Sequence, residues 1–193
     1  LRRGVENGAK HPNRLRFEGV LTLVDVPSCK APSGARGHRV ILTRSAAEAA
    51  LPSLLGMAVD YKAGWDGHDP RQKCGIITDA EVVGRELRVG GYLFARDFPE
   101  LEPLVYRLGD TLGMSYELHD AHVWDMRATI WTMTRATFIG AAILLRERAA
   151  YRGTSFRVVP EGLALAASAG EGLAMRSVVY GKAPEDDGRE EES

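Results

Sequence analysis

No stretch of the chain approaches the roughly 18–20 consecutive apolar residues that a membrane-spanning helix requires, so no membrane partner is expected. Cysteine is scarce. Cys29 and Cys74 stand alone, without a CxxC spacing or a second pair, which argues against a structural zinc site and for a reduced, cytoplasmic setting. Excess charge is also missing: 25 Lys and Arg against 26 Asp and Glu argue against a general nucleic-acid coat. There is no internal repeat. The opening Leu1-Arg2-Arg3-Gly4 has neither an initiator Met nor the apolar core of a signal peptide, so the chain is expected to be a fragment or a processed product.

What is present is 193 residues that are 45% apolar, enough for one domain of about 150 residues with its own core, plus tails. The charge gathers at the ends. Residues 1–16 hold Arg2, Arg3, Lys10, Arg14 and Arg16 against Glu6, and residues 182–193 hold six acidic side chains against Lys182 and Arg189. Such ends read as solvated tails. The expected organisation is a flexible lead-in over 1–15, a domain over 16–156, and a flexible tail or linker over 157–193. In the tail, Gly162, Gly170 and Gly172 interrupt the apolar residues, and Ala164 to Ala169 offers a sterically easy cleavage stretch.

Within the domain, Arg16 to Val26 alternates as a half-buried strand does, and Pro27 to Gly37 must be a loop. Arg39 to Leu42 is a short strand. Ser45, with Glu48 three residues on, reads as the capping box of a helix that Gly56 ends. Asp60 to Lys73 reads as a loop. Residues 74–83 and 86–94 form a hairpin about Gly84-Arg85, and 98–108 is helical by the spacing of Leu101, Leu104, Val105 and Leu108. Residues 111–118 and 122–134 are extended, and 136–145 is a central strand. Many strands with two helices make a β-rich α+β domain.

Two short motifs could carry chemistry. Gly67-His68-Asp69 lies in a polar loop, and Gly113-Met114-Ser115-Tyr116-Glu117 lies on a strand. A serine hydroxyl is a weak nucleophile unless a base reaches it, and neutral imidazole suits that task. The pentapeptide is not a G-x-S-x-G elbow, because Glu117 replaces the second glycine. His119, Asp120, His122 and Asp125 crowd nitrogen and oxygen ligands together, but a His-x-x-His on a strand points to opposite faces, so a solvated turn is the simpler reading. Trp124 and Trp131, seven apart, fall on opposite faces of a continuous strand and read as core and rim, without a choice of which is which, rather than as a ligand cage. Cys74 opens an apolar strand, where burial raises a thiol's pKa and blunts it as a nucleophile.

The order of these segments resembles the prohead protease family of tailed phages, which shares its fold with herpesvirus assembly proteases. The residues that carry the likeness are His68-Asp69, then Cys74-Gly75-Ile76-Ile77-Thr78-Asp79-Ala80, then Leu87 to Phe94, then Leu112 to Glu117, then the late apolar strand Phe138 to Leu144 followed by Ala149-Ala150. The likeness covers roughly residues 16–156. It implies a herpesvirus-protease-like β-barrel with flanking helices, and a serine endopeptidase with Ser115 as nucleophile, His68 as general base and no cofactor or metal. It also implies capsid and scaffold proteins as substrates, inside an assembling prohead in the bacterial host's cytoplasm, and action as a homo-oligomer. The family often has an acidic residue opening the late strand, where residues 136–141 here hold no carboxylate. Asp69, Glu117, Asp120 and Thr137 are the candidates for that third role. Two alternatives stay open: a non-catalytic scaffolding or binding protein of the same fold, and a metal-dependent hydrolase using His119 and His122.

Overall fold

The computed structural model describes residues 12–159, all within one compact unit. Of the expected lead-in over 1–15 and tail over 157–193, residues 1–11 and 160–193, with the cleavage stretch, lie outside the described residues, while Leu15 already opens a strand and Arg157 and Val158 still belong to one. Eight strands and two α-helices follow in chain order among the described residues: β1 (Leu15–Leu23), β2 (Arg39–Leu42), α1 (Arg44–Ala50), β3 (Ala58–Tyr61), β4 (Lys73–Val83), β5 (Glu86–Leu93), α2 (Leu101–Leu108), β6 (Leu112–Val123), β7 (Ile130–Leu145) and β8 (Ser155–Val158).

The strands form one sheet in the order β2-β7-β3-β4-β5-β1-β8, with β6 on the other edge of β7. The sixteen residues of β7 run as one strand where the sequence pattern had suggested two segments. Its partners explain the continuity. β2 pairs parallel with Ile130 to Met133, β3 pairs parallel with Ala141 to Ile143, and β6 runs antiparallel along most of the opposite edge. A strand paired on both edges satisfies its backbone over its whole length. The hairpin β4–β5 turns at Gly84, whose φ of +58° is the left-handed geometry that glycine adopts without strain.

One face of the sheet holds the core. Val59 and Tyr61 on β3, Ala141 and Ile143 on β7 and Met114 on β6 alternate into it, joined by Phe17, Leu21, Ile77, Leu87 and Leu93. Burying a side chain of this size stabilises the fold by about 1.5–3 kcal/mol. Ala46, Ala47 and Ala50 of α1, and Leu101 and Val105 of α2, close the core from outside the sheet.

The barrel that the resemblance implies is not closed by hydrogen bonds. Bulges between Val20 and Thr22 and between Ile77 and Asp79 bend the sheet. That brings β6 over β1 and β8, so that a Cβ on Gly19 would meet the Met114 sulfur at 2.8 Å and one on Gly113 the Thr154 hydroxyl at 2.5 Å. No ladder joins β6 to β8, and the sheet stays open there.

Two local expectations are corrected. Thr43, not Ser45, caps α1: its hydroxyl accepts the Ala46 N–H at 3.2 Å, while Glu48 pairs with Arg44 one turn back. The helix ends early because Pro52 starts a 3-10 turn, Leu51–Ser53. Residues 60–73 are not all loop either, since Asp60 and Tyr61 belong to β3 and Lys73 begins β4.

Thr43→Ala should lower the urea unfolding free energy by about 1 kcal/mol, the usual worth of such a cap. Ser45→Ala should change it by less than about 0.5 kcal/mol. Equal effects of the two substitutions on the urea midpoint, at constant slope, contradict this assignment.

Candidate active site

The site lies on the face of the sheet opposite the core, and register places it. Ser115 on β6 is the cross-strand partner of Ala142, and so is Asp60 on β3. Partners in register point to one face. Ser115, Ala142 and Asp60 therefore form a row across three strands, about 10 Å from end to end at ordinary strand spacing. Ala142 puts only a methyl in the middle, which leaves that space open to another side chain.

His68 enters that space from the loop between β3 and β4. Several contacts hold this loop. Leu145 donates its N–H to the Trp65 carbonyl at 2.8 Å, Gln72 donates to the Asp69 carbonyl at 2.9 Å, and Lys62 pairs with Asp66 at 3.0 Å. Trp65 is buried and packs at a tilt against Tyr61, with ring centroids 5.4 Å apart, in spite of a φ of +53°. A left-handed conformation costs a non-glycine residue about 1–2 kcal/mol, which the buried indole offsets.

The resulting geometry is a relay. His68 Nε2 lies 3.2 Å from Ser115 Oγ, and His68 Nδ1 lies 3.6 Å from Asp60 Oδ1 and 3.9 Å from Glu117 Oε1. Nδ1 is shut off from solvent and has no hydrogen-bond partner. For Nε2 to accept the serine proton, the ring must carry its own proton on Nδ1, and two carboxylates facing Nδ1 favour that tautomer.

Asp60 is 1% exposed, and an ionised carboxylate so placed needs partners. Oδ1 accepts the Asp69 N–H at 3.2 Å, and Oδ2 accepts from Lys73 Nζ at 2.9 Å. Burial opposes ionisation, but the neighbouring His68 and Lys73 outweigh it and hold the carboxyl below its ordinary value.

The other candidate residues separate by position. Asp69 turns its carboxylate to Arg71, with bonds of 3.0 and 3.1 Å, and only its backbone N–H serves the site. Asp120 is exposed and pairs with His119 at 3.0 Å, and Thr137 is the exposed cross-strand partner of His119. Neither has a hydrogen bond or ion pair to His68. Glu117 alone among the four reaches the imidazole. His122 Nδ1 bonds the Thr134 hydroxyl at 3.0 Å, and the described residues contain no cluster of three side chains suited to a metal. Trp124 is exposed, while Trp131 is buried and stacks on His38 at 4.4 Å. Burial pushes the Cys74 thiol up to about 12, and its Sγ donates to the Val59 carbonyl at 3.5 Å.

Asp60 was not among the residues singled out from sequence. Its signal was there: a lone acid in the apolar run Ala58-Val59-Asp60-Tyr61, which must be buried with a partner if that run is a strand.

No family model matches the sequence, and no curated protein matches it. The fold is similar to that of two solved proteases. One is the bacteriophage T4 capsid assembly protease, at 13% identity and a TM-score of 0.45, covering 66% of this chain and 80% of that one. The other is the KSHV protease, solved with a hexapeptide phosphonate inhibitor, at 14% identity and a TM-score of 0.46, covering 80% of this chain and 68% of that one.

Lys73→Met leaves the Asp60 charge without its cation and should cost about 2–4 kcal/mol, below the full loss for a buried pair because the ammonium is partly solvated. The pH dependence has a definite sign. A carboxyl whose pKa is lowered by folding contributes stability above its unfolded value, and that stability is lost as pH falls through the folded one. Wild-type stability should therefore drop below about pH 4, and Asp60→Asn should flatten that limb. Parallel acid limbs in urea titrations of the two proteins contradict the argument.

Proposed function

We propose that this chain is a serine peptidase, with Ser115 as nucleophile, His68 as general base and Asp60 as the acid that orients the imidazole. The observation that carries the reading is the continuous line from Ser115 Oγ to His68 Nε2 at 3.2 Å and from Nδ1 to the buried Asp60 carboxylate at 3.6 Å. Each of the three comes from a different element: β6, the β3–β4 loop and β3.

In the proposed reaction the Ser115 oxygen bonds to the scissile carbonyl carbon while its proton passes to His68 Nε2. The imidazolium so formed faces the Asp60 carboxylate, which stays ionised. The ring then gives the proton to the departing amine, and water, activated by the same ring, releases the acyl group and restores the serine. The order of motifs around His68 and Ser115, which resembles prohead proteases, supplies the substrate class: capsid and scaffold proteins, cut within an assembling shell. Action as a homo-oligomer belongs to the same proposal. No helix among the described residues is long and apolar enough to cross a membrane.

A fluorophosphonate should label the wild-type chain at Ser115. Ser115→Ala should abolish labelling, and His68→Ala should slow it by about 10²–10⁴-fold, the usual worth of a positioned base. Both variants should stay folded, with stability changed by about 1 kcal/mol or less. Folded wild-type protein that resists the reagent, or labelling that survives in Ser115→Ala, refutes the assignment. Cleavage of a scaffold protein by wild type but not by Ser115→Ala tests the substrate class separately.

A further inference from the structure

We infer that Glu117, seated in a notch made by Gly140, is a second positioning carboxylate for His68, so that the imidazole is held between two acids from two strands. The inference rests on the peptidase reading for its catalytic consequence, but the contact itself is a property of the structure.

Three observations carry it. First, His68 Nδ1 is buried and has no hydrogen bond, although it must hold a proton for Nε2 to act as a base. Asp60 alone leaves it short at 3.6 Å, and both Asp60 oxygens are engaged, one by the Asp69 N–H and one by Lys73. Second, Glu117 lies two residues from Ser115 on β6, hence on the same face, with Oε1 3.9 Å from Nδ1. No lysine or arginine pairs with Glu117 among the described residues, so its charge is not cancelled as that of Asp60 partly is by Lys73. Third, Glu117 and Gly140 are cross-strand partners. A Cβ on Gly140 would stand 2.5 Å from Glu117 Oε2 and 3.3 Å from its Cβ and Cδ. The side chain therefore lies over the bare glycine, where any other residue would push it away. A glutamate on an exposed strand edge has free rotamers reaching into solvent. The notch selects one that turns back along the sheet to the ring.

The charged groups facing Nδ1 come from two strands, Asp60 on β3 and Glu117 on β6, with Lys73 of β4 acting through Asp60. Asp69 from the loop is turned to Arg71, and β7 beneath offers only Gly140 and Ala142. When the proton leaves Ser115 for Nε2 the ring gains a positive charge, and Glu117 stabilises it. Glu117 is 52% exposed, so solvent screens this help, and its effect is smaller than that of a buried acid.

The test is the rate of fluorophosphonate labelling of the full chain across pH for wild type, Glu117→Gln, Gly140→Ala and the double variant. Glu117→Gln keeps the shape and removes the charge. The expected result is a slowing of about two- to fivefold near neutral pH, with the acid limb moved to lower pH, because the protonated ring then loses one of the two negative charges that stabilise it. Gly140→Ala should give the same change, and the double variant should be no slower than either single one, since both act through one carboxylate. A superimposable profile for Glu117→Gln overturns the inference. A Gly140→Ala effect that persists undiminished with Gln at 117 overturns the notch. Should Gly140→Ala not fold, Glu117→Gln decides alone. Ring nitrogen NMR of His68 separates this inference from the peptidase reading. A wild-type chain that resists labelling sinks the peptidase, while a His68 ring whose nitrogen resonances ignore Glu117→Gln sinks the contact proposed here.

Discussion

The register of β7 against its two neighbours is the constraint on which the site depends. Ala142 is the partner of Ser115 on one edge and of Asp60 on the other. Because side chains alternate along a strand, a slip of one residue on either edge would turn Ser115 or Asp60 into the apolar face. The core prevents that slip. Val59, Ala141 and Tyr116 pack on the other side in one row, and Tyr61, Ile143 and Met114 in the next. The same alternation that buries these aliphatic and aromatic side chains presents the serine and the acid. Fold stability and site geometry are thus one arrangement seen from its two faces.

A buried carboxylate then organises the loop above the sheet. Asp60 cannot remain ionised at 1% exposure without partners, and it has two donors, the Asp69 N–H and the Lys73 ammonium, with the His68 ring beside it at 3.6 Å. Each of these donors lies within the segment that leaves β3 and returns as β4. The charge therefore fixes the path of the loop, and His68 is carried to Ser115 as a consequence. Lys73 supplies the compensation that lets Asp60 be buried, but it also draws off part of the negative charge that would otherwise act on the imidazole. This division of labour explains why a second acid beside the ring is useful.

Much of this was legible in the sequence, and the illegible part has physical causes. The β4–β5 hairpin, the 39–42 strand and the helix around Leu101 to Leu108 follow from periodicity and turn residues that local chemistry decides. Ser115 and His68 could be named only from the order of the segments around them, which resembles that of prohead proteases. Strand β3 is harder to read, because the pairing that makes Ala58–Tyr61 a strand comes from β7, some eighty residues away. Asp60 was hidden with it. The break read between 134 and 136 disappears for the same reason: β7 is held by partners on both edges, which no local window contains. The cap of α1 was misplaced by two residues because Thr43 and Ser45 are both good caps, and only Thr43 has the extended backbone that aims its oxygen at Ala46.

The lack of a carboxylate on the late strand looks, in one dimension, like a missing part. Under the peptidase reading, the sheet offers other places for that acid. A row across β6, β7 and β3 offers three places from which a side chain can face the space over Ala142, and His68 lies above all of them. If the middle place carried an acid, its neighbours would have to be small. Here the middle places are Gly140 and Ala142, and the acids stand on the flanking strands as Glu117 and Asp60. What the imidazole requires is a negative charge near Nδ1 and a fixed orientation, and neither depends on the strand of origin. An identical chemical demand can therefore be met by residues that no linear motif would align.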